Sequence, residues 1–307
     1  MSGLLNPPLL AKSLARACFS FNEKAWSRIP AGIQSRRLVR AYGKWLHAII
    51  RSRQSRRFYF GTHFLRNRPQ LELMLRLLDR ESKAASLSAL VLACSIGAEV
   101  YSIAWTIRSR RPDRRIVINA IDISEDAVAF ARDGVYPLGG SSFTDEDIFG
   151  RLTEQEMREL FHVDGKAMRV QDWIRKDIRW HAGDAADPGL AALLGPQDMV
   201  FANNFLCHMS PPEAEKCLRN IVSLVKPGGY LFVSGVDLPV RKRVAKDLNL
   251  EPVTKLIEEI HEGDPSLRKD WPFKYWGLEP LDKHKRDWTR RYASVFRVAD
   301  CGPYLRN

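Results

Sequence analysis

The sequence predicts an α/β protein of the Rossmann-like class, with a small helical region at its start and an inserted subdomain. Three observations predict it. Apolar runs alternate with helical stretches from about residue 86 onward, a turn bearing a glycine follows the first run, and an acid closes the second.

The first 80 residues lack that alternation. From Ala31 to Ile50 apolar residues recur at helical spacing (Leu38, Tyr42, Trp45, Leu46, Ile49), and Leu71 to Leu78 repeats the pattern. A helical region over 1–82 is expected, its boundary set by the polar stretch ESKAAS. Strands then alternate with helices: SALVLACS before AEVYSIAWTIRSR, RIVINAIDIS before EDAVAFARDG, DMVFANNF before PPEAEKCLRNIVSLV, and GYLFVSG after KPGG. Such βαβ units imply a parallel sheet covered on both faces. Residues 135–179 are too long and polar for a simple crossover and read as a subdomain within the 83–307 domain. The closing YASVFRV reads as a last strand pairing antiparallel at the sheet's end, after a divergent, lid-like segment over 251–291 that carries Trp271, Phe273, Tyr275, Trp276 and Trp288.

Composition narrows the classes. With 45% apolar residues, the 307-residue chain can bury one sizeable core. No window approaches the roughly 20 apolar residues of a membrane span, and the start resembles no signal peptide, so a cytoplasmic protein is expected. The cysteines Cys18, Cys94, Cys207, Cys217 and Cys301 form no Cys-x-x-Cys pair, and the histidines show no metal spacing beside them, so no metal and no disulfide framework is expected. The net charge is +12, concentrated from Arg36 to Arg57, where eight basic residues stand without one acid. That helix reads as a docking site for an acidic protein or peptide, or as a solvated face.

In an open parallel sheet, ligands bind outside the carboxyl ends of the strands. The turn Ala93-Cys94-Ser95-Ile96-Gly97-Ala98-Glu99 falls there, with Gly97 letting the backbone approach a ligand and the next helix offering its amides. Asp122 closes RIVINAID, placed to accept from both hydroxyls of a ribose. A single glycine does not match G-x-G-x-x-G, which speaks against NAD and FAD and suits an adenosine without pyrophosphate.

The run CSIGAEVYSIA resembles the C-S-T-G-E-E-P-Y-S signature of the CheR family of chemoreceptor glutamate methyltransferases. AIDISEDAVAFARDGVYPL is similar to that family's acidic-strand segment, GTHFLR to its T-x-F-F-R element, and DMVFANNFLCHMS and LVKPGGYLFVSGVD to two further elements. They occur in the same order across about residues 60–237. The resemblance implies a class I methyltransferase sheet with S-adenosyl-L-methionine as cofactor. It places Thr62 and Arg66 at the methionine end, Ser95 and Gly97 in the cofactor turn, Glu99 at the amino group and Asp122 on the ribose. Asp184-Ala185 stands at the adenine edge, and Asn203-Asn204 where the family has Arg-Asn.

What the resemblance implies of the reaction is O-methylation of a protein or peptide carboxylate, with Arg66 beside the reacting groups. An ionised carboxylate needs no general base. Two departures open alternatives, because Asn203 replaces an arginine and His208 a tyrosine near the acceptor. A neutral small-molecule acceptor, with His208 as base, fits those replacements. An RNA methyltransferase is a further alternative, drawing on the basic helix and clustered aromatics, but the strand end Asn203-Asn204-Phe205-Leu206 lacks the Asn-Pro-Pro-aromatic element, so nucleic acid is not the expected partner. A non-catalytic adaptor is opposed by the intact Asp122 and Gly97 turn.

Overall fold

The computed structural model describes residues 20–300 except 35, 54, 80–85, 140–142 and 144–146. The apolar runs form β1 (Ser86–Leu92), β2 (Arg115–Asp122), β7 (Gln197–Ala202) and β8 (Val225–Val233), joined by β6 (Ile178–Ala182). These five run parallel, and β10 (Val295–Arg297) pairs antiparallel with β8, followed at the edge by β9 (Glu251–Pro252). The order is β6-β2-β1-β7-β8-β10-β9. The last strand therefore pairs antiparallel as the sequence suggests, although two-residue β9 lies outside it.

Successive strand residues serve opposite faces. Ala89 and Val91 join an apolar layer with the Ala98–Arg110 and Arg68–Leu78 helices, while Leu90 and Leu92 join one with the Pro211–Val222 and Leu238–Asp247 helices. Caps fix the helix starts: Ser124 accepts from the Ala127 amide at 3.2 Å, and Ser210 with Glu213 closes a capping box. Between β2 and β6 lies a three-stranded antiparallel sheet, β3 (Val135–Pro137), β5 (Ala167–Val170) and β4 (Phe161–Asp164). Phe64 packs edge-on against Tyr136 and Phe161, tying this sheet to the chain ahead of β1.

The Arg37–Ser52 helix departs from expectation in its orientation. Leu46 is buried, but Leu38, Tyr42 and Trp45 are exposed, and the basic face turns inward. Arg40 donates to the carbonyls of Pro280 and Leu281 and pairs with Asp282; Lys44 pairs with Glu279. Arg51 is buried on Asp237 and donates to the carbonyls of Cys207 and Met209 at 2.6 and 2.9 Å. Carbonyls and carboxylates of the 251–291 segment and of the loops after β7 and β8 therefore engage charge that the sequence alone assigns to a docking face. Of the eight basic residues, Arg36, Arg37, Arg53, Arg56 and Arg57 are exposed. Trp271 of the C-terminal segment packs edge-on against Trp26 at 5.3 Å, over Gly43, where a Cβ would stand 2.4 Å from its ring. No helix among the described residues is long and apolar enough to cross a membrane, and none of them form a cluster suited to a metal.

Candidate active site

The parallel register aligns β1 and β2 so that Leu92 stands beside Ile121. The turn after β1 and the acid ending β2 therefore meet. The Cys94 amide donates to the Ile121 carbonyl at 2.9 Å, and the Ser95 amide to Asp122 Oδ2 at 2.7 Å; the Ser124 amide donates to Oδ1 at 3.0 Å. Ala93 and Ser95 hold positive φ angles of 51° each, and Ser95 Oγ donates to the Phe60 carbonyl. Burial raises the Asp122 pKa from its usual range, opposed by those amides.

Thr62, Arg66, Ser95, Glu99, Asp122, Asp184, Ala185, Asn203, Asn204 and His208 all line one open cavity at this end of the sheet. Gly97 does not. It caps the Ala98–Arg110 helix with φ 88°, and a Cβ there would press on Ala131 at 3.0 Å and Trp180 at 3.1 Å. Its freedom serves the turn and the close packing of elements beneath the cavity.

Glu99 sits in the first turn of that helix, half-buried at the cavity wall. Burial raises its pKa to about 7, opposed by a hydrogen bond from Asn203 and by the charge of Arg66. Asn203 Nδ2 reaches Glu99 at 2.6 Å and Gln70 Oε1 at 2.8 Å, and its Oδ1 accepts from Ser234 Oγ at 2.9 Å. The sequence reading put Asn203 near a methyl acceptor. Its amide is instead engaged in holding Glu99. Arg66 donates from Nε to Asp264 at 2.8 Å, and no described hydrogen bond engages its two terminal nitrogens. Asp264 also receives Arg151, whose other terminal nitrogen donates to the Arg66 carbonyl.

Two expectations change at the rim. Asp184 accepts both terminal nitrogens of Arg56, at 2.8 and 2.6 Å, and the Ala186 amide, which holds its carboxyl below the usual range; an adenine amino group would share oxygens already engaged. His208 is no base poised near neutrality. Burial and the cations of Arg51, Arg66 and Arg57 lower its pKa to about 4, and its Nδ1 meets the Tyr275 hydroxyl at 2.8 Å. Sequence reasoning missed Gln70 and Asp264, which stand in no motif element, assigned no role to Ser234 within LVKPGGYLFVSGVD, and read Arg56 and Arg57 only as part of the basic run. The aromatic content of 251–291 does mark Tyr275 and Trp276, which line the cavity.

The donor set suits a zwitterion attached to a ribose. It offers a guanidinium whose terminal nitrogens make no hydrogen bond among the described residues, a half-buried carboxylate with one oxygen engaged by a neutral amide, and a strand-end aspartate. Residues 61–247 match the SAM-binding domain of CheR methyltransferases. This chain belongs to the CheR methyltransferase family. The cofactor of such a domain is S-adenosylmethionine. Among curated relatives, a chemotaxis protein methyltransferase of Vibrio parahaemolyticus is 33% identical over 152 residues, 47% of this chain and 52% of that protein. A probable biofilm formation methyltransferase WspC of Pseudomonas aeruginosa is 27% identical over 153 residues, 50% of this chain and 34% of that protein. The CheR-family chain thus spans about half the length, or less, of these relatives. A magnesium protoporphyrin IX methyltransferase structure from Synechocystis aligns at TM-score 0.35 and 15% identity over 61% of this chain and 70% of that one, too distant to add to the assignment.

Proposed function

We propose that this chain is a methyltransferase that uses S-adenosylmethionine to O-methylate a carboxylate on a protein or peptide. The observation that carries the reading is the pairing of Arg66 and Glu99 across one cavity with Asp122, inside the segment matched to the family. Arg66 would take the methionine carboxylate with its terminal nitrogens, Glu99 the ammonium, and Asp122 the ribose hydroxyls, while Thr62 and Ser95 line the path between them. Asp184 and Ala185 border the adenine, with Arg56 latched across that edge. Asn203 orients Glu99, and Gly235 lets its loop approach Asn204, since a Cβ on Gly235 would stand 2.5 Å from the Asn204 Cα.

When bound, the cofactor supplies an electrophilic methyl whose bond to sulfur breaks as the bond to the acceptor oxygen forms, the sulfur keeping the electron pair. The protein's share is alignment and exclusion of water. No proton has to be removed from an ionised carboxylate, which agrees with a site whose nearest imidazole has so low a pKa. We read residues 83–307 as the catalytic unit, with 251–291 closing over it. An acidic acceptor surface meets the exposed Arg36, Arg37, Arg53 and Arg57 more readily than the inward-facing Arg40 or Arg51.

The test is transfer of labelled methyl to cell lysate followed by mild base. Label released as methanol supports an ester; label that survives base on protein or small molecules overturns the reading.

A further inference from the structure

Three guanidinium groups influence His208, and they differ in what neutralises them. Arg51 is buried on Asp237, and Arg66 rests on Asp264. Arg57 has no carboxylate partner among the described residues. It is nevertheless fixed in place. Its backbone amide donates to the His208 carbonyl at 2.9 Å, and its guanidinium lies over the Tyr275 ring, 5.7 Å from the centroid. The Tyr275 hydroxyl in turn meets His208 Nδ1 at 2.8 Å. Arg57, Tyr275 and His208 line the same cavity as Arg66, Glu99 and Asp122. A guanidinium stacked on a ring keeps its donating edge free, and that planar fork matches a carboxylate in a way a lysine does not.

We propose that Arg57 is the acceptor-binding residue, and that Arg57, Tyr275 and His208 form a subsite for a carboxylate side chain. This rests on the carboxylate reading above and deepens it. The other candidates are engaged elsewhere: Asn203 holds Glu99, Arg51 is buried on Asp237, and Arg66 serves the cofactor end in the proposed arrangement. An uncompensated cation at this wall attracts an anion and repels a protonated amine, so it selects the class of acceptor. Arg57 and Tyr275 lie outside the matched residues 61–247 and His208 within them, so the subsite joins the matched domain to the segments that flank it. The lowered pKa of His208 agrees with it, since Arg57 is among the cations that oppose protonation there.

The experiment titrates N-acetyl-glutamate N-methylamide, and its glutamine counterpart as neutral control, into the full chain saturated with S-adenosylhomocysteine, following binding by ligand-observed NMR. The wild type should bind the acid and not the amide. Arg57→Gln should lose that preference, with the dissociation constant for the acid rising roughly tenfold or more, and Arg57→Lys should restore part of it. S-adenosylhomocysteine affinity should stay unchanged in both variants, showing that they fold. A wild type that prefers the acid alongside an Arg57→Gln variant that still does so removes Arg57 from the subsite and leaves the carboxylate reading standing. A wild type that does not distinguish acid from amide overturns both.

Discussion

Arg66 and Asp264 join the two ends of the site: the arginine stands just before the helix leading into β1, the aspartate in the segment that follows β9, and Nε meets Oδ2 at 2.8 Å. The carboxylate is buried and also receives Arg151, so one acid orients two cations. Asp264→Asn keeps the shape and removes the charge. We expect a melting temperature lower by several degrees, because two part-buried arginines lose their anion. We also expect S-adenosylhomocysteine affinity reduced roughly tenfold, as Arg66 loses its fixed orientation. Arg66→Lys should lower both quantities too, since an ammonium cannot keep the Nε contact to Asp264 and also offer a planar fork to the cofactor. A double-mutant cycle in calorimetry should show coupling in affinity; strict additivity would mean that Asp264 does not orient Arg66.

Glu99 gives the cofactor site a pH dependence of definite sign. Its folded pKa of about 7 lies above the 4.5 of an ordinary glutamate, so the folded state holds the proton more tightly than the unfolded one. Stability from this group is therefore greatest at low pH and falls as pH rises from about 4.5 to 7. A bound ammonium favours the ionised form and reverses the preference. Cofactor affinity should rise with pH up to about 7 and then level, with proton uptake by the buffer on binding near pH 6. Glu99→Gln should bind weakly at every pH. A wild-type affinity flat from about pH 5.5 to 8 would place the ammonium elsewhere.

Asp122 carries both structure and ligand binding. It accepts the amides of Ser95 and Ser124 while facing the cavity. Asp122→Ala should weaken S-adenosylhomocysteine binding by about 2 to 3 kcal/mol and also lower the melting temperature, since two buried amides lose their acceptor. A folded variant that binds as the wild type does would remove the aspartate from the ribose.

The parallel strands were legible because their apolar runs are long and bounded by turn residues, and so was the place of Asp122, the acid that closes β2. The face of the Arg37–Ser52 helix was not. Eight basic residues without an acid read as a docking or solvated face when the partners, Asp237, Glu279 and Asp282, lie 186 residues or more away in sequence. Gly97 was legible as a turn residue, but the room its missing Cβ leaves for Ala131 and Trp180 depends on elements that only the fold brings together. Asp264 gave no local signal, since what singles it out is burial against two distant arginines.

That correction changes how the basic helix should be tested. Arg51 is buried with a carboxylate and two carbonyls for partners, whereas Arg53 is exposed. Arg51→Ala should destabilise the fold by roughly 3 to 5 kcal/mol, because Asp237 and the loop carbonyls lose their donor. Arg53→Ala should stay within about 0.5 kcal/mol. Thermal melts of the two single variants decide it; equal melting temperatures would return Arg51 to the solvated face.

His208 separates a carboxylate acceptor from a neutral one. Its folded pKa of about 4 lies below the 6.5 of an ordinary histidine, because burial and three nearby arginines oppose a further positive charge. The imidazole is therefore neutral from about pH 6 to 8 and shows no titration there. It contributes stability that is present above its unfolded pKa and is lost as pH falls from about 6.5 toward 4, because the unfolded chain then binds a proton that the folded one refuses. His208→Gln should flatten that acid limb of the stability profile while keeping a polar contact to the Tyr275 hydroxyl. If the acceptor is a carboxylate, no proton leaves it, and the variant should transfer methyl at a rate within a few-fold of wild type, independent of pH from about 6 to 8. A hydroxyl or amine acceptor demands a base, and the wild-type rate would then climb through a neutral-range pKa and collapse in the variant. Observing that climb and that collapse, with a base-stable product, would overturn both the low pKa and the carboxylate reading, since each requires His208 to stay out of the proton chemistry.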